Sequence, residues 1–246
     1  DPYILESGGR YYIYTTGHDG VYAYESDNLL SGWKLYGKGF SMPLGYDKCT
    51  HQKEKYRPDF ETHDYWAPSV IELDGTFYMY CSFEYYSTQP DEGGHRQTMH
   101  VSKSKSPLGP FTDAKQILPA FSIDSHIVKN ESGLFLFYST NDFESDRPGT
   151  HIVVDRMLDP ETPEGKPVKV VVPTIDEDIF RKDRYKKGVH WHTIEGAFYF
   201  REGDWQYLMY SGNCYEQPTY YIGYARAKTD ETDLTKIKFE KYPSDD

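Results

Sequence analysis

A four-fold internal repeat constrains this chain more than any other feature of its sequence. Asp1-Pro2-Tyr3-Ile4 leads through Gly9 to Tyr11-Tyr12-Ile13-Tyr14, and Trp66-Ala67-Pro68-Ser69-Val70 leads through Gly75 to Phe77-Tyr78-Met79-Tyr80. Ile123-Asp124 leads through Gly133 to Phe135-Leu136-Phe137-Tyr138, and Ile194-Glu195 through Gly203 to the segment from Trp205 to Tyr210. The four turn glycines stand 66, 58 and 70 residues apart. Each hairpin is followed by further strand-like segments, namely Val21-Tyr22-Ala23-Tyr24, Met99-His100-Val101, His151-Ile152-Val153-Val154 and Tyr220-Tyr221-Ile222-Gly223-Tyr224. Three or four strands per unit, recurring at this period with no long helical periodicity, describe the blades of an all-β propeller rather than a sandwich. The aromatic content fits: Tyr, Phe and Trp make up 17% of the 246 residues, with 24 Tyr. Flat amphipathic rings suit strands and sugar-stacking surfaces.

Charge excludes some partners. The net charge of −12 would repel a polyanion, so nucleic acid is not expected. No window reaches the roughly 18 apolar residues of a membrane span, and no membrane partner is expected. Cys49, Cys81 and Cys214 are odd in number and lack metal-type spacing, which favours free thiols in a reducing, cytoplasmic setting over a secreted disulfide framework. Two segments interrupt the repeat, residues 41–64 and 155–190. The run Asp176-Glu177-Asp178 with Arg181-Lys182-Asp183-Arg184 reads as a solvated insertion between blades, with a binding role as the minority reading.

Acids recur at one register. Asp1 stands eight residues before Gly9, Asp124 nine before Gly133 and Glu195 eight before Gly203, while the remaining repeat has Ala67 at that place, preceded by Trp66. Inner strands of a propeller start at a common mouth, so three carboxylates from three blades should meet there. Any one of them alone would be an ordinary turn or strand-entry residue. Three at one register point to chemistry, because crowded carboxylates push one another's pKa apart. A pair about 6.5–9.5 Å apart, one protonating a leaving oxygen and the other activating water, is the arrangement of inverting glycoside hydrolysis.

The Asp1-Pro2-Tyr3 opening, Trp66-Ala67-Pro68, Ser106-Pro107-Leu108-Gly109-Pro110-Phe111, Ile123-Asp124-Ser125-His126, Glu195-Gly196 and Tyr207-Leu208-Met209-Tyr210-Ser211 together resemble glycoside hydrolase family 43. The resemblance implies a five-bladed β-propeller and an inverting arabinofuranosidase, xylosidase or arabinanase. It implies that Asp1 is the general base, Asp124 the acid that tunes pKa and orientation, and Glu195 the general acid. Glu195-Gly196-Ala197 departs from the family's usual Glu-Gly-Pro. About four blades are visible, and residues 230–246 lack the Gly-His segment of a fifth. The whole of 1–246 is therefore expected to be one catalytic propeller domain short of its C-terminal blade, with unpaired flanks.

Hairpin geometry brings the exits of the second strands to the same mouth, nominating His18, Phe83, Asn141 and Tyr215, with Trp66, as the wall of a sugar pocket. His126, two residues after Asp124, points to the same face by alternation. His190 and His192 share a face but lack a third ligand, so no metal site is expected from them. No cofactor is required, although the resemblance allows a structural calcium on the propeller axis. The expected substrate is a neutral oligosaccharide or polysaccharide bearing pentose units, α-L-arabinofuranosyl before β-xylosyl. The competing reading is a carbohydrate-binding propeller without activity.

Overall fold

The computed structural model describes residues 1–17, 20–36, 62–85 and 97–244. Its chain separates into two compact units, Asp1–Ile127 and Val128–Asp246. In the first unit β1 (Pro2–Ser7), β2 (Arg10–Thr15), β3 (Tyr22–Ser26) and β4 (Lys34–Leu35) form one antiparallel meander. A second meander follows in β5 (Thr62–Leu73), β6 (Thr76–Tyr85), β7 (Thr98–Ser104) and β8 (Thr112–Gln116). β9 (Ser122–Asn130) carries the chain onward into the second unit.

The second unit contains β10 (Gly133–Asp142), β11 (Gly149–Asp159), β12 (Thr162–Pro163), β13 (Val168–Val171), a single 3-10 turn at Asp176–Asp178 and β14 (Ile179–Lys186). It ends with β15 (Val189–Glu202), β16 (Trp205–Gly212), β17 (Tyr221–Lys228) and β18 (Glu240–Tyr242), which form the fourth antiparallel run. All four repeats expected from the sequence are thus strand meanders, and their turn glycines do what turns require. Asp74 and Gly75 both take positive φ, 50° and 69°, in the two-residue connection between Leu73 and Thr76. That left-handed pair matches the twist of the strands it joins.

Within the segment 155–190, most of the charged run from Asp176 to Arg184 is exposed as a solvated insertion should be, and Asp178 is the exception. β13 pairs antiparallel with β11, and β14 forms a hairpin with β15. Asp178 is fully buried: its carboxylate accepts from the Thr174 and Ile175 backbone N–H groups at 2.8 and 3.1 Å and from Lys241 Nζ at 3.1 Å, and the Tyr221 hydroxyl also donates to it. Composition suggested a wet charge run, but a buried cation 63 residues away and two backbone donors satisfy this one acid. Of the other interruption, 41–64, residues 41–61 lie outside the described residues.

Each unit has its own core, and the aromatic surplus is spent there. Tyr12, Tyr14, Tyr65, Phe77, Phe83 and Phe111 pack with Val21, Val70 and Met79 in the first unit. Phe135, Phe137 and Tyr210 pack with Ile152, Val154, Ile194 and Leu208 in the second. Burying such side chains is worth roughly 1.5–3 kcal/mol apiece. The buried Tyr14 keeps its polar tip satisfied by donating to the Pro107 carbonyl at 2.7 Å, with Phe111 edge-on to its ring. The Ser106-to-Phe111 segment is therefore a clasp on the first unit's core.

One glycine is demanded by close approach. β11 and β15 run parallel where Gly149 faces His192, and a Cβ on Gly149 would lie 2.2 Å from the His192 carbonyl oxygen. Cys81 and Cys214 are free and buried.

Candidate active site

β5, β9 and β15 are irregular at or beside the register position of the repeat, whereas β1 pairs regularly with β2. In β5 the pairing shifts between His63 and Trp66 and again between Trp66 and Ser69, so that one extra residue is accommodated each time. The residues absorbing the shifts, Asp64 and Ala67, have φ of 56° and 42°. Asp124 in β9 has φ 56°. In β15 the register shifts between Glu195 and Phe198, where Gly196 has φ 70°. Bulges of this kind bend a strand and re-aim its side chains. Left-handed backbone in Asp or Ala costs of order 1 kcal/mol or more, and it concentrates at functional sites.

Within the first unit, several contacts hold this register in place. Thr16 Oγ1 accepts from the backbone nitrogens of both Asp1 and Ala67, each at 3.1 Å. Gly17 and Tyr65 exchange backbone hydrogen bonds at 3.0 and 2.9 Å, tying the end of β2 to the start of β5. Beside Asp124, the buried Ser125 hydroxyl lies 2.9 Å from Ser69 Oγ and within 3.0–3.2 Å of the Tyr80 and Ala67 carbonyls. Asp124 itself is buried, and its carboxylate lies near enough to the Asp1 backbone nitrogen to act on it electrostatically. The first unit thus brings Asp1 and Asp124 together.

The second unit supplies Glu195. Its side chain is partly buried, and loss of hydration pushes the carboxyl up to about 7, against a smaller opposing pull from the Tyr220 hydroxyl. Tyr220 Oη donates to Glu195 Oε1 at 3.0 Å. Tyr220 reaches that position because Asn213, at φ 78°, organises the loop before it. The Asn213 side-chain oxygen accepts from the Cys214 N–H at 2.6 Å and the Thr219 hydroxyl at 3.2 Å, while its Nδ2 donates to the Glu177 carbonyl at 2.7 Å. Tyr215 is exposed, and Glu195 is among the charges that raise its phenol pKa after desolvation and Glu216. A carboxyl near neutrality can hold a proton at working pH and give it up, which is the requirement for a general acid.

The remaining sequence nominations are distributed as follows. Trp66 is partly exposed between the two bulges of β5, and its carbonyl accepts from Cys81 Sγ at 3.3 Å. His126 is buried, 6.1 Å from the Tyr3 ring. Phe83 is a core residue: it is 2% exposed, stacks on His100 at 3.8 Å and packs against Tyr65 at 4.9 Å, so that packing replaces the pocket-wall role expected of it. Asn141 accepts from Thr150 Oγ1 at 2.9 Å. His18 lies outside the described residues.

His192 is buried with Nδ1 3.1 Å from the Pro148 carbonyl, whereas His190 sits beside Asp183. No group of three or more His, Cys, Asp or Glu among the described residues is arranged to hold a metal ion. Tyr220 escaped the sequence reading because its contact depends on the turn built by Asn213. The only signal was one more tyrosine in a tyrosine-rich chain.

The family model described as Glycosyl hydrolases family 43 matches residues 1–234. A probable arabinan endo-1,5-alpha-L-arabinosidase B of Aspergillus oryzae is 29% identical over 114 residues, 46% of this chain and 27% of its own length. A probable arabinan endo-1,5-alpha-L-arabinosidase A of Aspergillus flavus is 23% identical over 246 aligned residues, 97% of this chain and 63% of its own. The chain thus spans less than two thirds of the length of these curated relatives. Among solved structures, a thermostable family-43 glycoside hydrolase is 30% identical with a TM-score of 0.68, covering 100% of this chain and 72% of that one. An endo-arabinase from Bacteroides thetaiotaomicron is alike in fold, with 23% identity and a TM-score of 0.69 over 99% of this chain and 79% of that one. The fold class is the all-β, five-bladed propeller, of which this chain carries about four blades.

Proposed function

The chain belongs to Glycosyl hydrolases family 43, and from that premise we propose that it is an inverting glycosidase acting on α-L-arabinofuranosyl linkages of plant-type oligosaccharides or polysaccharides. The observation that carries the reading is Glu195: a carboxyl raised to about 7 by burial, on a bulge, at the repeat position where the family pattern requires an acid. Glu195 gives its proton to the glycosidic oxygen as the bond to the anomeric carbon breaks. Asp1 takes a proton from the water that attacks that carbon from the opposite face, so the anomer inverts. Asp124 is, by the family pattern, the acid proposed to tune pKa and orientation. Trp66, Tyr215 and His126 are the proposed sugar contacts.

Arabinofuranosyl is preferred to xylosyl because the curated relatives are, by name, arabinan endo-1,5-alpha-L-arabinosidases. Xylosyl is the second reading, favoured by the likeness to an endo-1,4-beta-xylanase from Bacteroides thetaiotaomicron. The test is hydrolysis of arabino- and xylo-oligosaccharides by the intact protein and by Glu195→Ala, with the released anomer followed by NMR. Inverted product that disappears in the variant supports the proposal. Retained configuration, or turnover that the variant keeps on oligosaccharides, overturns it. Aryl glycosides with good leaving groups should survive Glu195→Ala far better, since their departure needs no proton.

A further inference from the structure

The β14–β15 hairpin concentrates positive charge in an acidic protein. Arg181, Lys182, Arg184, Lys186 and Lys187 fall within seven residues, against the single acid Asp183, in a chain of net charge −12. Asp183 is already engaged inside the hairpin, accepting from the Gly188 N–H at 2.7 Å and lying 3.7 Å from His190 Nδ1. Arg181, Lys182, Lys186 and Lys187 are exposed, and none forms an ion pair among the described residues. Clustered like charges that pair with no acid among the described residues repel one another and cost stability.

Beside them is an aromatic platform. Trp191 is buried at the base, with the rings of Phe143 at 4.9 Å and Tyr185 at 5.1 Å. Phe143 and Tyr185 are 60% and 50% exposed. The Arg184 guanidinium carbon lies 5.0, 5.0 and 5.5 Å from the ring centroids of Phe180, Tyr185 and Trp191. A guanidinium held among aromatic rings by cation–π attraction still carries N–H donors that can pair with a carboxylate.

We propose that this hairpin is a docking surface for a polyuronate chain, with sugar rings on Phe143 and Tyr185 and carboxylates paired to Arg181, Lys182, Arg184, Lys186 and Lys187. Charge complementarity selects the anion, and exposed rings select a sugar over a bare polyelectrolyte. The cations extend over roughly 15 Å of strand, so the ligand bears carboxylates on successive rings rather than on an occasional branch. Screening over about 8 Å at physiological salt lets the local patch act despite the acidic whole. The inference rests on the glycosidase reading for its choice of a polysaccharide, and it places a second, acidic glycan on the hairpin.

The test is affinity electrophoresis of the intact protein in gels containing de-esterified polygalacturonate, fully methyl-esterified pectin, linear arabinan or double-stranded DNA. Retention is expected on polygalacturonate, falling steeply with added salt. The combined variant Arg181→Gln, Lys182→Gln, Lys186→Gln and Lys187→Gln should weaken it about thirty-fold, as four exposed pairs of ordinary strength would. A control carrying Lys34→Gln, Lys129→Gln, Lys228→Gln and Lys238→Gln changes the net charge equally and should retain binding. Circular dichroism checks that both variants fold, and the salt dependence of the unaltered protein stands without either.

Equal retention on esterified pectin or DNA, equal loss in the control, or no retention on polygalacturonate overturns the inference. Hydrolysis of pentose oligosaccharides is measured on the same preparation. Hydrolysis without polygalacturonate retention sinks the hairpin inference alone, and retention without hydrolysis sinks the proposed activity alone.

Discussion

Replacing Tyr220 with Phe removes the hydrogen bond that the proposed acid receives from a side chain among the described residues. The Tyr220 hydroxyl donates to Glu195 at 3.0 Å and pulls its pKa down, while burial pushes it up to about 7. A hydrogen bond to a charged group is worth about 1.5–3 kcal/mol when fully enclosed. Tyr220 is 36% exposed, so water takes over part of its role. A loss near 1 kcal/mol then raises the Glu195 pKa by a little under one unit. The acid must be protonated to act, so the alkaline limb of kcat/KM on arabino-oligosaccharides should move upward by that amount. Carbon NMR of the Glu195 carboxyl should show the same displacement. An alkaline limb that stays in place or moves to lower pH would refute the reasoning, because it would mean that the hydroxyl does not favour the ionised form.

The same raised pKa has a cost in stability. Because the folded state holds the Glu195 proton up to about 7 against an ordinary 4.5, stability declines as pH rises between those values, by at most about 3 kcal/mol. Glu195→Gln should therefore raise the melting temperature above pH 7 and leave it nearly unchanged below pH 4.5, as scanning calorimetry would register. Lys241→Met strands the buried Asp178 carboxylate and should cost about 3–5 kcal/mol in urea unfolding; a loss under about 1 kcal/mol would show that the pair is hydrated. Gly149→Ala drives a methyl group to 2.2 Å from the His192 carbonyl and should destabilise by about 1–3 kcal/mol or more. Gly196→Ala makes only an ordinary contact, with Ser211 Oγ 3.8 Å away, but must hold φ near 70°. It should cost about 1 kcal/mol of stability and a disproportionate share of kcat, and equal effects on a melting curve and on kcat would count against the bulge as an aiming device.

The fold was legible because its two signals are local and repeated. Turn glycines such as Gly75 and Gly203 carry positive φ that their sequence positions required, and the aromatic segments after them became β2, β6, β10 and β16. Counting back from those glycines also reached Asp124 and Glu195, because the distance along a hairpin arm is fixed by strand rise. Asp178 was misread because burial depends on Lys241, a partner far along the chain that no window of local charge reveals. Phe83 was misplaced for a related reason: a strand exit is near the mouth in register, but the His100 ring on β7 captures the side chain into the core.

The bulges explain why counting works only to within a residue. Asp124 lies nine before its glycine and Glu195 eight, and each stands at or beside a left-handed residue, Asp124 itself at φ 56° and Gly196 at 70°. A regular strand would turn one of two such acids to the opposite face, since a shift of one residue inverts every side chain beyond it. An inserted residue resets the alternation. The departure from the family's Glu-Gly-Pro bears on this point. Proline after Gly196 would remove an N–H and fix the following φ, whereas Ala197 leaves that donor in place and is itself buried in the second core. The aim of Glu195 then depends on Gly196 and on the Tyr220 hydrogen bond, which makes those two residues, rather than position 197, the place where substitutions should separate activity from stability.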